Sequence, residues 1–301
     1  MIYDTIVIGG GIAGLQATIQ LVRSRRKVLV IDSGMGRSVL ARNYQNILGF
    51  PDGVSGEELR QRGQQMAKKW GAVFLEATAT FCEQNEDGIF QVTVQNEDQL
   101  LLGRTLLFST GIKDVLPPIP GLLPCLGKSI YICPDCDGFE IINKSTVVIG
   151  SGIQAINMAD SLQYYSDDLT VINHARINLD HEEQKITEKW GSRYRNEEIA
   201  EILQVYGMIS GFRLQSGETY QVERGFLAFK GAHVNTDLMR TFQIGFLDKG
   251  HVRVDPRTKE TTHRNIWAAG DINAHSQQVV TSLADGAVAA IWIHKRLFEI
   301  T

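Results

Sequence analysis

The chain has 301 residues, a net charge of −4 and 43% hydrophobic residues, which is typical of a globular protein with one large domain or two ordinary ones. The mild acidity and the lack of a basic block give no reason to expect a nucleic acid or an anionic membrane as a partner. No apolar run approaches the roughly 20 residues that span a bilayer, and the N-terminus lacks the charged start and cleavage site of a signal peptide.

The N-terminal segment, residues 4–32, predicts a strand, a glycine turn, a helix and a second strand. Gly9, Gly11 and Gly14 form a G-x-G-x-x-G motif directly after the first strand, and Asp32 ends the second. Glycines let the backbone approach a pyrophosphate, the helix N-terminus offers N–H donors, and a carboxylate at the strand end binds a ribose hydroxyl. Because the strand, the helix and the acid all accompany the glycines, the segment predicts a dinucleotide-binding unit.

Further along lies a pair of cysteines, Cys133 and Cys136, in the segment ICPDCDGFEI. The chain has only two other cysteines, Cys82 and Cys125, which is too few for a secreted disulfide scaffold. We therefore expect a cytoplasmic protein whose C-x-x-C pair is metal-binding or catalytic. Structural zinc usually takes four ligands, and the isolated cysteines and scattered histidines offer no second pair. We expect no metal site.

The residues between the two cysteines favour redox chemistry. Pro134 and Asp135 predict a turn that opens a helix, and a thiol at a helix N-terminus has a lowered pKa and reacts as the thiolate. Cys82 is expected to be a packed core residue, and Cys125 a loop thiol.

Residues 145–174 repeat the strand, turn, helix and strand pattern, with Gly150, Gly152 and Ala155 forming G-x-G-x-x-A. The chain then returns to the first fold. NIWAAGDI (265–272) is an apolar strand ending in Gly-Asp, and a helix rich in small residues follows. These last segments predict that the second nucleotide-binding unit interrupts the first, with candidate hinges at 117–121 and 230–237.

The two nucleotide-binding units, the C-x-x-C-D-G-F segment ahead of the second glycine motif and the late A-A-G-D resemble the low-molecular-weight thioredoxin reductases over nearly the whole chain. The resemblance implies an α/β fold with two Rossmann-like nucleotide-binding domains (FAD/NAD(P)-binding, three-layer), the second inserted into the first. Residues 1–115 and 232–301 would bind FAD. Residues 116–231 would carry the dithiol and, in an ordinary member, bind NADPH. A homodimer is also implied.

The resemblance assigns FAD contacts to several segments. NILGFPDGVSGEEL (46–59) is similar to the flavin-contacting loop, LLFSTG (106–111) to the turn that closes the flavin domain, and WAAGD to the motif whose acid binds the ribityl chain. QQVV (277–280) lies where backbone N–H groups of the family face the isoalloxazine. The implied FAD residues are Gly9, Gly11, Gly14, Asp32, Asn46, Thr110, Gly111, Gly270, Asp271, Gln278 and Val279.

For the dithiol, the resemblance implies that Cys136 faces the flavin and forms the charge-transfer thiolate. Cys133 would attack the substrate disulfide, and Cys136 would resolve the mixed disulfide that results. Asp137 matches the acid that relays a proton during the exchange.

The NADPH side departs from the family pattern. Asn173, His174 and Ala175 stand where the family has His-Arg-Arg, and Asn178 replaces a later Arg, which leaves Arg176 as the nearby cation. Losing two hydrogen bonds to a charged phosphate would cost about 3–6 kcal/mol, roughly a hundredfold to ten-thousandfold in affinity. We therefore predict a degenerate second nucleotide site, comprising Gly150, Gly152, Ala155, His174 and Arg176, with doubtful use of NADP(H).

Other departures point the same way. SGMGRSVLARN replaces the usual Gly-Gly-Gln after the second strand, Gln277 replaces an Arg, and Glu140 replaces a Phe. These features resemble ferredoxin-dependent flavin thioredoxin reductases and diflavin-linked disulfide oxidoreductases, in which a second FAD fills the vacated site. Trp190 and Tyr194 are candidates to stack on such a second ring, with exposed loop aromatics as the alternative.

The leading hypothesis is an FAD-dependent thiol–disulfide oxidoreductase that exchanges electrons between a donor, ferredoxin among the candidates, and a thioredoxin-like protein or small disulfide through Cys133 and Cys136. The alternatives are an NADPH-dependent thioredoxin reductase, a dithiol oxidase that uses oxygen, and a non-catalytic flavin redox sensor. The sequence leaves the donor and the direction of electron flow open.

Overall fold

The computed structural model describes residues 1–96 and 100–300, and the chain divides into two compact units. Unit 1 comprises residues 1–40, residues 47–113 and the chain from His233 onward, and unit 2 comprises residues 41–46 and 114–232. The second unit thus interrupts the first. The sequence placed the two boundaries at 115/116 and 231/232, and it did not separate the short segment 41–46 from the first domain.

Strands and helices occur in both units of the described chain. The strands before residue 114 are β1 (Ile2–Ile8), β2 (Val28–Asp32), β3 (Val73–Glu76), β4 (Ala79–Gln84), β5 (Phe90–Val94), β6 (Leu101–Phe108) and β7 (Ile112–Lys113). The later strands are β8 (Ile130–Tyr131), β9 (Thr146–Gly150), β10 (Leu169–Asn173), β11 (Tyr194–Arg195), β12 (Ile199–Val205), β13 (Met208–Leu214), β14 (Thr219–Gln221), β15 (Arg224–Ala228), β16 (His233–Val234) and β17 (Ile266–Ala268). The α-helices are α1 (Ile12–Arg23), α2 (Gly56–Lys69), α3 (Pro134–Asp137), α4 (Ile153–Leu162), α5 (His181–Glu188) and α6 (Val279–Ile300). Short 3-10 helices cover Arg37–Val39, Leu123–Cys125, Gly138–Ile141, Gly191–Arg193 and Asp237–Thr241.

Unit 1 is built on a sheet in the order β3-β2-β1-β6-β5-β4, with β17 beside β6. The central pairs β2/β1, β1/β6 and β6/β17 are parallel, whereas β4, β5 and β6 pair antiparallel. Alternate residues of a strand point to opposite faces. Accordingly Ile6 and Ile8 join one buried cluster, while Val7 joins another with residues of α1 and α6. Burial on both faces explains the nearly continuous apolar run of β1.

Unit 2 contains a parallel sheet in the order β11-β10-β9-β15-β8 and a smaller antiparallel sheet in the order β12-β13-β14. One face of β9 packs toward the smaller sheet through Val147 and Ile149, and the other face packs against α4 through Val148. The predicted α/β fold with two Rossmann-like βαβ units is therefore confirmed.

Among the described residues, no helix is long and apolar enough to cross a membrane.

Helices α1 and α6 cross at close range in unit 1. A Cβ atom added to Gly286 of α6 would lie 2.2 Å from the backbone oxygen of Ala13 in α1. Because that oxygen belongs to a helix backbone, Gly286→Ala requires the helices to separate, and overpacking of this kind costs about 1–3 kcal/mol. We expect urea unfolding to show that loss.

Gly63 provides a matched control for this substitution. It is also a helical glycine, in α2, but the atoms nearest to a Cβ there belong to the side chain of Leu15, the first at 3.2 Å. Gly63→Ala should change stability little, because the gain in helix propensity of up to about 1 kcal/mol offsets the crowding. Equal losses in the two variants would show that the close approach of α1 and α6 is not what makes Gly286→Ala destabilising.

Candidate functional site

The two cysteines predicted to be reactive are joined by a disulfide bond at the start of the short helix α3. Cys133 is the N-cap residue, and the backbone N–H of Cys136 donates to its Sγ atom at 3.2 Å. Pro134 occupies the first turn, where its missing N–H costs no hydrogen bond. Both cysteines are half-buried. The structure thus forms the predicted pair in its oxidised state, with the first sulfur facing a helix N–H group.

Asp137 follows the dithiol directly and sits in a perturbed environment. Burial, helped by the negative charge of Glu140, raises the pKa of Asp137 from 3.8 to about 7. A carboxyl group that titrates near neutrality can both give and accept a proton at working pH. Such a group could serve in the proton relay that the resemblance to thioredoxin reductases implies for Asp137.

Glu140 is itself held in place by two partners in unit 2. Its Oε1 atom accepts a hydrogen bond from Gln45 Nε2 at 3.0 Å, and its Oε2 atom lies 3.7 Å from Arg224 Nη2. The carboxylate also raises the pKa of Tyr131, after burial as the larger cause. Glu140 therefore forms the second member of an acidic pair beside the dithiol.

The first glycine turn has the shape that a dinucleotide phosphate requires. Gly9 has a φ of +102°, and a Cβ there would lie 2.4 Å from the backbone oxygen of Ser109. A Cβ on Gly14 would come within 2.0 Å of the Gly9 oxygen. Gly11 faces open space and caps α1 without a side-chain hydrogen bond. Gly9 and Gly14 pack the turn tightly, and the N-terminus of a helix such as α1 offers N–H donors to an anion.

The acids predicted to bind FAD both have arginine partners. Arg60 Nη2 lies 2.5 Å from Asp32 Oδ2, and Arg60 is itself 7% exposed. Arg37 Nη1 lies 3.2 Å from Asp271 Oδ2 and donates to Gln277 Oε1 at 2.8 Å. Burial raises the pKa of Asp271, and Arg37 opposes that rise. Both carboxylates are thus oriented by cations on other segments of unit 1.

The remaining predicted FAD residues lie at the start of α6, in the turns at 110–111 and 270, and at Asn46. Helix α6 begins at Val279, and the N–H of Gln278 is already bonded to the Ser276 oxygen at 3.0 Å. Thr110 is clamped to Asn235, whose Nδ2 donates to the Thr110 oxygen at 2.9 Å. Gly111 adopts a φ of +67°, and Gly270 one of +80°. Asn46 is exposed and belongs to unit 2, whereas the other predicted FAD residues belong to unit 1.

The residues of unit 1 fit FAD. The open face at Gly11, the N-terminus of α1 and the oriented carboxylates of Asp32 and Asp271 are the donor and acceptor types that a pyrophosphate, a ribose and a ribityl chain need. When bound, FAD would supply two-electron redox chemistry.

The second glycine turn is covered by its own chain. The N–H of Gly152 donates to Asn173 Oδ1 at 2.7 Å, so it is already used. A Cβ on Gly152 would meet Ile177 at 3.2 Å and Leu179 at 3.5 Å, which shows that these side chains lie over the turn. Gly150 and Ala155 pack against each other beneath it, since a Cβ on Gly150 would lie 3.0 Å from the Ala155 Cβ.

Two basic residues follow this turn in sequence, His174 and Arg176. His174 Nδ1 accepts a hydrogen bond from the Ile199 N–H at 2.9 Å, and burial lowers the pKa of His174. Arg176 is exposed and has a positive φ of +51°. The suggestion that Trp190 is an exposed or ring-stacking aromatic is wrong. Trp190 is 2% exposed and belongs to the core of unit 2, against which Tyr194 also packs.

The other two cysteines are inert core residues. Cys82 is fully buried as predicted, and burial raises the pKa of its thiol to about 12. Cys125, predicted as a loop thiol, is instead fully buried in a 3-10 helix, and burial raises its pKa as well. In the part of the chain that the structure describes, no group of three or more His, Cys, Asp or Glu residues could hold a metal ion.

Comparison with protein families gives one decisive match. The family model described as pyridine nucleotide-disulphide oxidoreductase matches residues 3–289, nearly the whole chain. The protein belongs to this family.

Individual members of the pyridine nucleotide-disulphide oxidoreductase family are similar over the full length. The thioredoxin reductase of Mycolicibacterium smegmatis is 28% identical over 313 residues, covering 99% of this chain and 97% of the relative. That of Treponema pallidum (strain Nichols) is 29% identical, covering 96% and 95%. The crystal structure of thioredoxin reductase from Streptococcus pyogenes MGAS5005 superposes with a TM-score of 0.86 at 23% identity, covering 100% of this chain and 99% of that one.

These matches confirm the fold and the reaction class inferred from the sequence. The protein is a flavin-dependent disulfide oxidoreductase whose homologues and structural neighbours are low-molecular-weight thioredoxin reductases.

Several residues of the site are not predicted by the sequence patterns. Arg37 and Arg60 are far in sequence from the acids they contact, so no local spacing announces them. Glu140 was noted only as a departure from the family. Its spacing of three residues from Asp137, on a segment predicted to be helical, is a signal that the two acids face each other.

Proposed function

We propose that this member of the family transfers electrons between FAD and a thioredoxin-like protein or small disulfide through Cys133 and Cys136, without ordinary use of NADPH. The observation that carries the proposal is the disulfide at the start of α3 with Asp137, titrating near neutrality, as the next residue. We further propose a homodimer in the cytoplasm, the usual compartment of a reactive C-x-x-C pair.

In the proposed reaction, the two cysteines begin as thiols. The Cys133 thiolate attacks one sulfur of the substrate disulfide, forms a mixed disulfide and expels the other sulfur as a thiolate. Cys136 then attacks Cys133 Sγ, which releases the second substrate thiolate and re-forms the bond seen in the structure. Two electrons have passed to the substrate. Asp137 supplies a proton to a departing thiolate, and a pKa near 7 suits that task.

The loss of ordinary NADPH use is supported by the covered second turn. A dinucleotide would have to displace the bond from the Gly152 N–H to Asn173 and move Ile177 and Leu179 aside. His174 Nδ1 already accepts a hydrogen bond from the Ile199 N–H, and the exposed Arg176 is the neighbouring cation that could meet a 2′-phosphate. A second FAD would face the same obstacle at the same turn.

Anaerobic titration of the purified flavoprotein tests this proposal. We expect NADPH and NADH at micromolar levels to leave the flavin absorbance unchanged, while reduced ferredoxin and then dithionite bleach it. Bleaching by micromolar NADPH would contradict the proposed loss and would favour the NADPH-dependent thioredoxin reductase.

The same preparation separates the remaining alternatives. One flavin per chain agrees with our proposal, and two would require a second FAD site. Oxygen consumption with a dithiol would favour a dithiol oxidase. Failure to turn over thioredoxin or a small disulfide with any donor would favour the redox sensor.

A further inference from the structure

A buried carboxylate lies behind the flavin motif of unit 1. Asp285 of α6 is 5% exposed. Its Oδ2 atom accepts hydrogen bonds from the Gly270 N–H at 3.2 Å, Asn273 Nδ2 at 2.8 Å and His275 Nε2 at 2.8 Å, and Lys259 Nζ lies 2.9 Å from Oδ1. Burial opposes the charged form, yet the bonds from His275, Lys259 and Asn273 lower the pKa of Asp285 to about 2. The group is therefore a permanent anion.

The hydrogen bonds of His275 determine its charge. Nε2 faces the Asp285 carboxylate, and Nδ1 lies 2.9 Å from the backbone oxygen of Ser276. A carboxylate and a carbonyl only accept hydrogen bonds, so both ring nitrogens must carry a proton for both bonds to form. A neutral imidazole has only one N–H and would leave one of these contacts unmade. The geometry therefore selects the imidazolium.

The other charged groups around His275 modify this preference. The bond to Asp285 raises the pKa of His275, burial lowers it in part, and Lys259 also lowers it. His251 and Asp271 interact electrostatically with His275 as well. The net direction is upward, in agreement with the hydrogen-bond geometry.

The Asp285–His275 ion pair connects the segment between β17 and α6 to α6 itself. The segment from Gly270 to Val279 leaves β17, carries Asp271 and ends at the start of α6. Asp285 ties the beginning of the segment to α6 through the Gly270 N–H, and His275 ties its middle to the same carboxylate. Without the imidazolium, the middle of the segment would lose a charge-assisted bond.

We propose that His275, held as an imidazolium between Asp285 and the Ser276 carbonyl, is a positioning residue that fixes the segment 270–279 for FAD binding. The inference rests on the proposed FAD role of Asp271, Gln278 and Val279. In this proposal His275 makes no contact with the flavin. It acts by holding the backbone of the segment 270–279 in place.

A dependence of FAD affinity on pH follows from this role. The raised pKa of His275 means that the stabilising cation is fully present below the ordinary histidine pKa of about 6.5. It is lost as the pH rises through the higher value in the folded protein. FAD should therefore dissociate more readily on the alkaline side.

The test measures FAD dissociation by the rise in flavin fluorescence, between about pH 6 and about pH 9 around the ordinary histidine pKa. We expect the affinity of the unaltered protein to fall about tenfold or more as His275 loses its proton. His275→Gln should bind FAD weakly at every pH, and Asp285→Asn should also lose the pH step. The matched control is His181→Gln, at an exposed histidine of α5, which should behave as the unaltered protein.

A second measurement needs no variant and no flavin turnover. Long-range proton–nitrogen correlation spectra of protein with labelled histidines report the protonation of each ring nitrogen. We expect His275 to remain doubly protonated at a pH above the ordinary histidine pKa of about 6.5. Loss of a ring proton from His275 at or below that value would overturn the inference, and so would an unchanged FAD affinity in His275→Gln. If the purified protein holds no flavin at all, the proposed function fails, while the histidine spectra still decide the charge of His275.

Discussion

Replacing Cys136 with serine should give a protein that captures a disulfide substrate and does not release it. Cys133 would attack the substrate as in the proposed reaction, but the resolving thiolate is absent, so the mixed disulfide persists. With a chromogenic aromatic disulfide, we expect release of one thiolate per chain, an adduct on Cys133 by mass spectrometry, and catalytic turnover reduced to the uncatalysed rate.

The other cysteines provide the comparisons that make this result specific. Cys133→Ser should also abolish turnover but should form no stable adduct, because the attacking sulfur is gone. Cys125→Ser keeps a donor for the Gly121 oxygen that Cys125 Sγ faces at 3.5 Å and should turn over normally. An adduct that forms equally on Cys136 in Cys133→Ser would reverse the two assigned roles.

Replacing Asp137 with asparagine should slow disulfide exchange by about a hundredfold to ten-thousandfold, the usual contribution of a general acid or base. In the unaltered protein, the form that donates a proton is present below pH about 7 and disappears above it. The rate should therefore fall as the pH rises through this value. In Asp137→Asn the remaining rate should lack that step.

Glu140→Gln tests whether the negative charge of Glu140 helps to raise the pKa of Asp137. Burial is the larger cause of the raised pKa of Asp137, and the negative charge of Glu140 adds to it. Glutamine removes the charge and keeps a side chain of the same length near Gln45 and Arg224. We expect the alkaline limb of the rate profile to move to lower pH. A limb that stays in place would show that Glu140 does not act on Asp137.

The raised pKa of Asp137 also predicts that this residue destabilises the folded protein as the pH rises. The pKa of Asp137 rises from 3.8 to about 7 on folding, so the folded protein holds a proton that the unfolded chain releases within this range. The free energy of unfolding therefore falls as the pH rises from the lower value through the higher one. Above pH about 7, Asp137→Asn should raise that free energy by up to about 4 kcal/mol, as measured by urea unfolding. An equal gain at a pH below 3.8 would contradict this cause.

The features that the sequence predicted correctly are local ones. A glycine turn between an apolar strand and a helix is specified within about thirty residues, so both βαβ units were predicted from Gly9, Gly11 and Gly14 and from Gly150, Gly152 and Ala155. The dithiol could be predicted for the same reason, because Cys133, Pro134 and Cys136 share one helical turn.

The sequence alone was enough to predict the α/β fold, the flavin disulfide oxidoreductase class and the pairing of Cys133 with Cys136. The tertiary structure decided what surrounds those motifs. It placed Arg60 beside Asp32, Arg37 beside Asp271 and His275 beside Asp285, and it buried Trp190 in a core. Ion pairs and burial depend on chain segments that folding brings together from distant positions, and no periodicity or spacing in the sequence records those distances.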